Sequence, residues 1–300
     1  MKNGQRSSRG IQTLITPAIL TVSFCSICAP PSRSAPGKPQ DKLWNFTTPT
    51  QMKAVIPKYL NNPRATYYII MRATNYNLGP QAAVIYGDLL KEGYGSKGSG
   101  KVNAFHLMSA YAFSHFMATG PLSREYFRQQ PSPIVQRLRD QELEADGYRT
   151  QALEAMPKSP EVLLEASIAI LDGSSVGETP KKRVRRAIGY TRKVVQLAPN
   201  WADAHYWLGE QLTRTQHHAS DKNAWGQEAI TAYEKAEQLE PGLRADCLRA
   251  RARTWQMIGQ RRKALECLDA FIQLKPEQAK KPGIIKWRQS LVKQLQAKRS

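Results

Sequence analysis

The chain has 300 residues, room for one large or two small domains, and a hydrophobic content of 41% is enough for a packed core. Lysine and arginine outnumber aspartate and glutamate by 44 to 24, and a net charge of +20 points toward polyanions or anionic membranes. The excess is +5 over residues 1–40, +7 over 41–140 and +8 over 141–300. No single basic segment accounts for it, and the C-terminal half mixes both signs as a solvated helical surface does.

Lys2, Arg6 and Arg9 precede an apolar run from Ile11 to Ala29. A basic start before an apolar stretch reads as a secretory signal peptide over residues 1–29, which places the protein outside the cytoplasm: periplasmic, secreted or envelope-anchored. Pro17 and six polar residues in the run disfavour a permanent span. An uncleaved anchor is the alternative, and the only route to a membrane. Cys25 and Cys28 have redox-motif spacing but lie inside the apolar run and would leave with it. Residues 30–40 (PPSRSAPGKPQ) read as a flexible linker.

Residues 41–133 form a helical region. Short helices are expected over 50–60 and 80–92, and a buried helix over 102–119, which carries Phe105, Leu107, Met108, Tyr111, Phe113 and Phe116. Residues 66–71 (TYYIIM) read as strand or helix alike. Residues 95–102 (GSKGSGKV) approach a phosphate-cradling loop. Val102 replaces the hydroxyl residue that would hold magnesium, and no strand precedes, so the segment reads as a linker.

From residue 134 onward a pattern recurs four times: a first residue, then residues four, seven and twelve positions on. It runs Ala145, Arg149, Ala152, Pro157, then Ala187, Thr191, Val194, Pro199. It returns as Ala229, Tyr233, Ala236, Pro241 and finally Ala264, Leu268, Phe271, Pro276. Spacings of four and seven put side chains on one helical stripe; alanine admits a close neighbour, and proline ends the helix. Leu208–Gly209 and Gly259 fall where a preceding helix and a turn are needed. Residues 284–300 read as a helix apolar on one side.

These residues resemble the tetratricopeptide repeat, a helix–turn–helix unit of about 34 residues. The resemblance covers about residues 134–300. It implies an all-α protein, an α-solenoid of tetratricopeptide-like repeats with a C-terminal capping helix, residues 41–133 being diverged repeats. The prolines are 42, 42 and 35 residues apart, so two repeats carry extra residues, expected between helices at 172–186 and 214–227. Arg149 and Thr191 stand at usually large apolar positions, which implies looser first units.

The resemblance further implies a non-catalytic scaffold that binds a protein or peptide in its concave groove. Carried over by register, the groove residues are Leu164, Ile168, Asp203, Tyr206, Glu210, Arg214, Leu248, Ala252 and Trp255, with Tyr206 and Trp255 either anchoring a partner or packing between units. The alternative function is a basic repeat protein binding RNA or another polyanion through Lys181, Lys182, Arg183, Arg185 and Arg186, placed in the first inserted loop. Cys247 and Cys267, on the two helices of the last unit, form either a disulfide or two buried thiols. His205, His217 and His218 lack the spacing of a metal site. No nucleophile–base constellation is present, and neither cofactor nor metal is implied.

Overall fold

The computed structural model describes residues 46–94, 101–119, 133–172 and 178–297. The expected signal segment, the expected linker after it and residues 95–100 of the glycine-rich loop lie outside these. Fourteen α-helices occur among the described residues, and no strand. They are α1 (Pro49–Val55), α2 (Pro63–Asn75), α3 (Gly79–Lys91), α4 (Lys101–Thr119), α5 (Pro133–Asp140), α6 (Glu142–Ala155) and α7 (Pro160–Asp172). Then follow α8 (Pro180–Leu197), α9 (Ala202–Arg214), α10 (Lys222–Leu239), α11 (Arg244–Met257), α12 (Arg261–Leu274), α13 (Pro276–Ala279) and α14 (Pro282–Gln296). The segment TYYIIM is helical, inside α2.

Helices α7 and α8, α9 and α10, and α11 and α12 pack as pairs, and α14 covers α12 at the C-terminal end. This is a tetratricopeptide-like solenoid with a capping helix. It begins earlier than residue 134, because α4 packs along both α3 and α6 and serves as the first helix of a further pair. The repeated positions carry the packing: Ala187, Thr191, Val194, Ala229, Tyr233, Ala236, Ala264 and Leu268 are fully buried. Gly209 admits the Tyr233 ring so closely that a Cβ there would lie 2.6 Å from it. Gly259 takes φ +79° in the turn between α11 and α12, a conformation glycine adopts without steric cost.

The two 42-residue repeats place their extra residues differently from expectation. Ala145 and Ala264 are the fourth residues of α6 and α12, each 14 residues long. Ala187 and Ala229 are the eighth residues of α8 and α10, each 18 residues long. Each long helix therefore starts one turn early. The Thr179 hydroxyl caps α8 by accepting from the Lys182 amide, with Pro180 at the first helical position; Asp221 caps α10 by accepting from Ala224.

The first units are not loose. The Thr191 hydroxyl donates to Gln211 Oε1 at 2.8 Å and lies 2.9 Å from the Ser167 hydroxyl, which accepts from Gln211 Nε2 at 3.0 Å. This closed polar triangle joins α7, α8 and α9 where an apolar side chain would otherwise stand. Arg149 reaches from α6 to the Ala112 carbonyl at 3.2 Å and pairs with Asp146.

Candidate functional site: the first-helix face

The first helices α4, α7, α9 and α11 present one face of the solenoid, and helix α2 lies across it. α2 touches α3, its neighbour in sequence, and reaches beyond it to α4 and α7. Its Tyr67 is fully buried, stacked on Phe113 of α4 at 6.2 Å between ring centroids and edge-on to Trp201 at 5.1 Å. Trp207 of α9 donates its indole N–H to the Tyr67 hydroxyl at 3.0 Å, a bond between residues 140 apart in sequence. One turn earlier Arg64 donates to Glu161 of α7 at 2.9 Å and stacks 3.5 Å over the Trp201 ring. α2 thus bridges three consecutive first helices. Sequence reasoning missed Arg64, Tyr67, Trp201 and Trp207; the aromatic content of TYYIIM and of the α9 start was the available signal.

This bridging helix changes the reading of the groove. Leu164 and Ile168 are buried in the core that α2 shares with α4 and α7. Asp203, Tyr206 and Glu210 are 4–5% exposed. Asp203 accepts from the Trp201 indole at 3.2 Å. Tyr206 meets Tyr233 edge-on at 5.7 Å, and Glu210 accepts from the Tyr233 hydroxyl at 2.9 Å. Tyr206 and Glu210 hold α9 to α10 and Asp203 is bonded at the start of α9, so they are not an open lining. Leu248 and Ala252 are buried against Ala264, Leu268 and Phe271 of α12, with half-buried Trp255 beside them and Lys263 Nζ 4.4 Å from its ring. The expected register on α11 is therefore rotated toward its own partner helix. Another stripe of α11 faces α9: Arg253 pairs with Glu210 at 3.7 Å, and the charges of Asp246 and Arg249 act on the buried Tyr206 phenol. Arg214, Arg249, Arg253 and Gln256 are half-exposed there.

Lys181, Lys182, Arg183, Arg185 and Arg186 are not in a loop. They occupy the first two turns of α8. Lys181, Lys182 and Arg185 are exposed, while Arg186 pairs with Glu178 at 2.6 Å. Cys247 and Cys267 are free thiols, so the disulfide is not formed. Cys247 packs with Tyr233 and Ala236 toward α10, while Cys267 lies in the separate core around α12; burial pushes both thiols up. His205 bonds the Pro199 carbonyl at 2.8 Å, and no three metal-binding side chains are grouped among the described residues.

Beneath α2 lies a buried polar cluster. The Glu165 carboxyl of α7 accepts from the Ser109 hydroxyl of α4, with Glu161 and Arg149 nearby. Desolvation raises its pKa to about 8, the Ser109 bond opposing. Tyr86 of α3, fully buried, feels the same carboxyl. His106, also buried, is lowered to about 4 by desolvation.

No family model matches the chain, and no curated protein matches it. Among solved structures, TTC0263, a thermophilic TPR protein of Thermus thermophilus, is 13% identical over 77% of this chain and 98% of its own, with a TM-score of 0.47. MamA is 16% identical over 71% of this chain and 98% of its own, with a TM-score of 0.43. IFIT1, as a monomeric mutant with Gppp-AAAA, is 18% identical over 81% of this chain and 58% of its own, with a TM-score of 0.39. The class of this chain, a tetratricopeptide-like helical-repeat protein, follows from its own helix pairing.

Proposed function

We propose that this protein is a non-catalytic, exported scaffold that captures a protein segment on the part of its first-helix face that α2 leaves uncovered. The observation behind this is the unequal occupancy of that face. Over α4, α7 and α9 it is filled by α2 through Arg64 and Tyr67. Over α11 it keeps half-exposed Arg249, Arg253 and Gln256, with Arg214 at the adjoining end of α9. A surface of long charged side chains beside buried aromatics suits a segment that brings carboxylates and one apolar anchor. Export is carried by the Lys2 to Ala29 pattern alone.

The test is a pull-down from source-cell extract on the immobilised chain, eluted stepwise with salt and nuclease, beside the Arg249→Ala/Arg253→Ala double variant. A defined protein that survives moderate salt and nuclease and is lost from the variant supports the reading. Capture of nucleic acid alone, or a partner indifferent to the variant, refutes it.

A further inference from the structure

The early starts of α8 and α10 build a surface that the repeat itself does not require. Removing the extra turns, residues 180–183 and 222–225, would leave two 14-residue second helices like α6 and α12. The extra turn of α8 carries Lys181, Lys182 and Arg183, with Arg185 and Arg186 in the next turn, and that of α10 begins with Lys222. Both turns border the connection between α9 and α10. Val184 and Trp225 pack in the same core beneath them. Gln216 Nε2, in the connection between α9 and α10, donates to the Lys222 carbonyl at 2.7 Å. The same connection brings His217 and His218, ring centroids 4.0 Å apart, to Lys181 and Arg183, whose charges help hold the His218 imidazole below its ordinary pKa after the effect of desolvation.

The result is a ledge with cations from two elements, α8 and α10. Lys181, Lys182 and Arg185 are exposed and have no ion pair among the described residues. The nearby acids are already engaged: Glu178 by Arg186, and Asp221 as the cap of α10. A dense set of like charges repels itself unless an anion is supplied from outside. Charge complementarity calls for carboxylates at Lys181, Lys182 and Arg185, and a scaffold that captures protein segments meets them as a run of acidic residues.

We propose that this ledge is a docking surface for an acidic protein segment, a run of aspartate and glutamate laid across the first turns of α8 and α10. The proposal rests on the scaffold reading but uses a surface separate from the first-helix face.

The experiment measures anisotropy of a labelled twelve-residue Asp/Glu-rich peptide, and of a single-stranded oligonucleotide of equal charge, titrated with the full chain at two salt concentrations. The peptide should bind in a salt-dependent manner, and the oligonucleotide at least tenfold more weakly. The triple variant Lys181→Glu/Lys182→Glu/Arg185→Glu should lose at least tenfold in peptide affinity. A control with the same change in net charge, Lys53→Glu/Lys58→Glu/Lys91→Glu, on exposed lysines of α1 to α3, should lose less than threefold. Both variants are melted first, and a single Lys182→Glu variant stands in if the triple is unstable, with an expected loss of about threefold. An oligonucleotide that binds as well as the peptide, equal losses in ledge and control variants, or no peptide binding overturns the proposal. Loss of the acidic peptide with retained capture on the first-helix face, or the reverse, shows which of the two readings fails.

Discussion

The buried carboxyl of Glu165 sets a testable pH dependence of stability. Its pKa is about 8 in the folded chain against an ordinary 4.5, so between these values the folded state holds a proton that the unfolded state has released. Stability therefore falls as pH rises through that window, by about 1.4 kcal/mol per pH unit. His106 acts oppositely: at about 4 folded against an ordinary 6.5, it adds stability as pH rises between those values. The two slopes cancel up to about pH 6.5, and from there to 8 Glu165 acts alone. Over those 1.5 pH units the loss is about 2 kcal/mol, or about 4–8 °C in melting temperature for a domain of this size. Circular-dichroism melts at pH 6.5, 7.25 and 8 measure it, and Glu165→Gln, which keeps the shape and removes the titration, should flatten the slope. A wild-type melting temperature that is level from pH 6.5 to 8, or a slope that persists in the Gln variant, refutes the reasoning.

Other expected outcomes are as direct. Gly209→Ala puts a methyl 2.6 Å from the Tyr233 ring and should destabilise by about 1–3 kcal/mol. Gly189→Ala, also within a helix but with nothing within 4 Å, should stabilise by about 0.5–1 kcal/mol; equal signs in chemical denaturation would contradict the packing described. Tyr67→Phe leaves the Trp207 indole N–H without its acceptor, so a loss of about 1–3 kcal/mol is expected, with faster amide exchange in α2. Cys247 should resist thiol-specific labelling until the chain unfolds, whereas half-buried Cys267 reacts sooner; equal rates under native conditions would show that α11 is not packed as found.

Much of the solenoid is visible in the sequence because each second helix repeats one local rule. Ala229, Tyr233 and Ala236 lie on one stripe, and a stripe needs only neighbouring residues to be recognised. The register of α11 was harder to read, since Ala245, Ala250 and Ala252 are spread around the helix among arginines and no single apolar face stands out. The long second helices were obscured by charge: residues 181–186 look like a solvated turn, although Thr179 and Pro180 before them form a helix start. The seat of α2 could not be read locally at all. It depends on Tyr67 meeting Trp207, and the identity of that partner is a property of the folded chain.

That long-range bond bears on how the protein reaches its folded state. In a solenoid each unit touches only its neighbours, and pairs can form in any order. α2 breaks this independence, since its seat is made by Glu161, Trp201 and Trp207, far downstream. Closing so long a loop comes late and slows folding. As the chain leaves the ribosome, α2 emerges among the first helices and can meet α3 and α4, but the rest of its seat is missing until α9 follows. Arg64 and Tyr67 lack their downstream cover, Trp201 and Trp207, over that interval. The span between residues 63 and 207 is thus the stretch of nascent chain that most needs protection from aggregation.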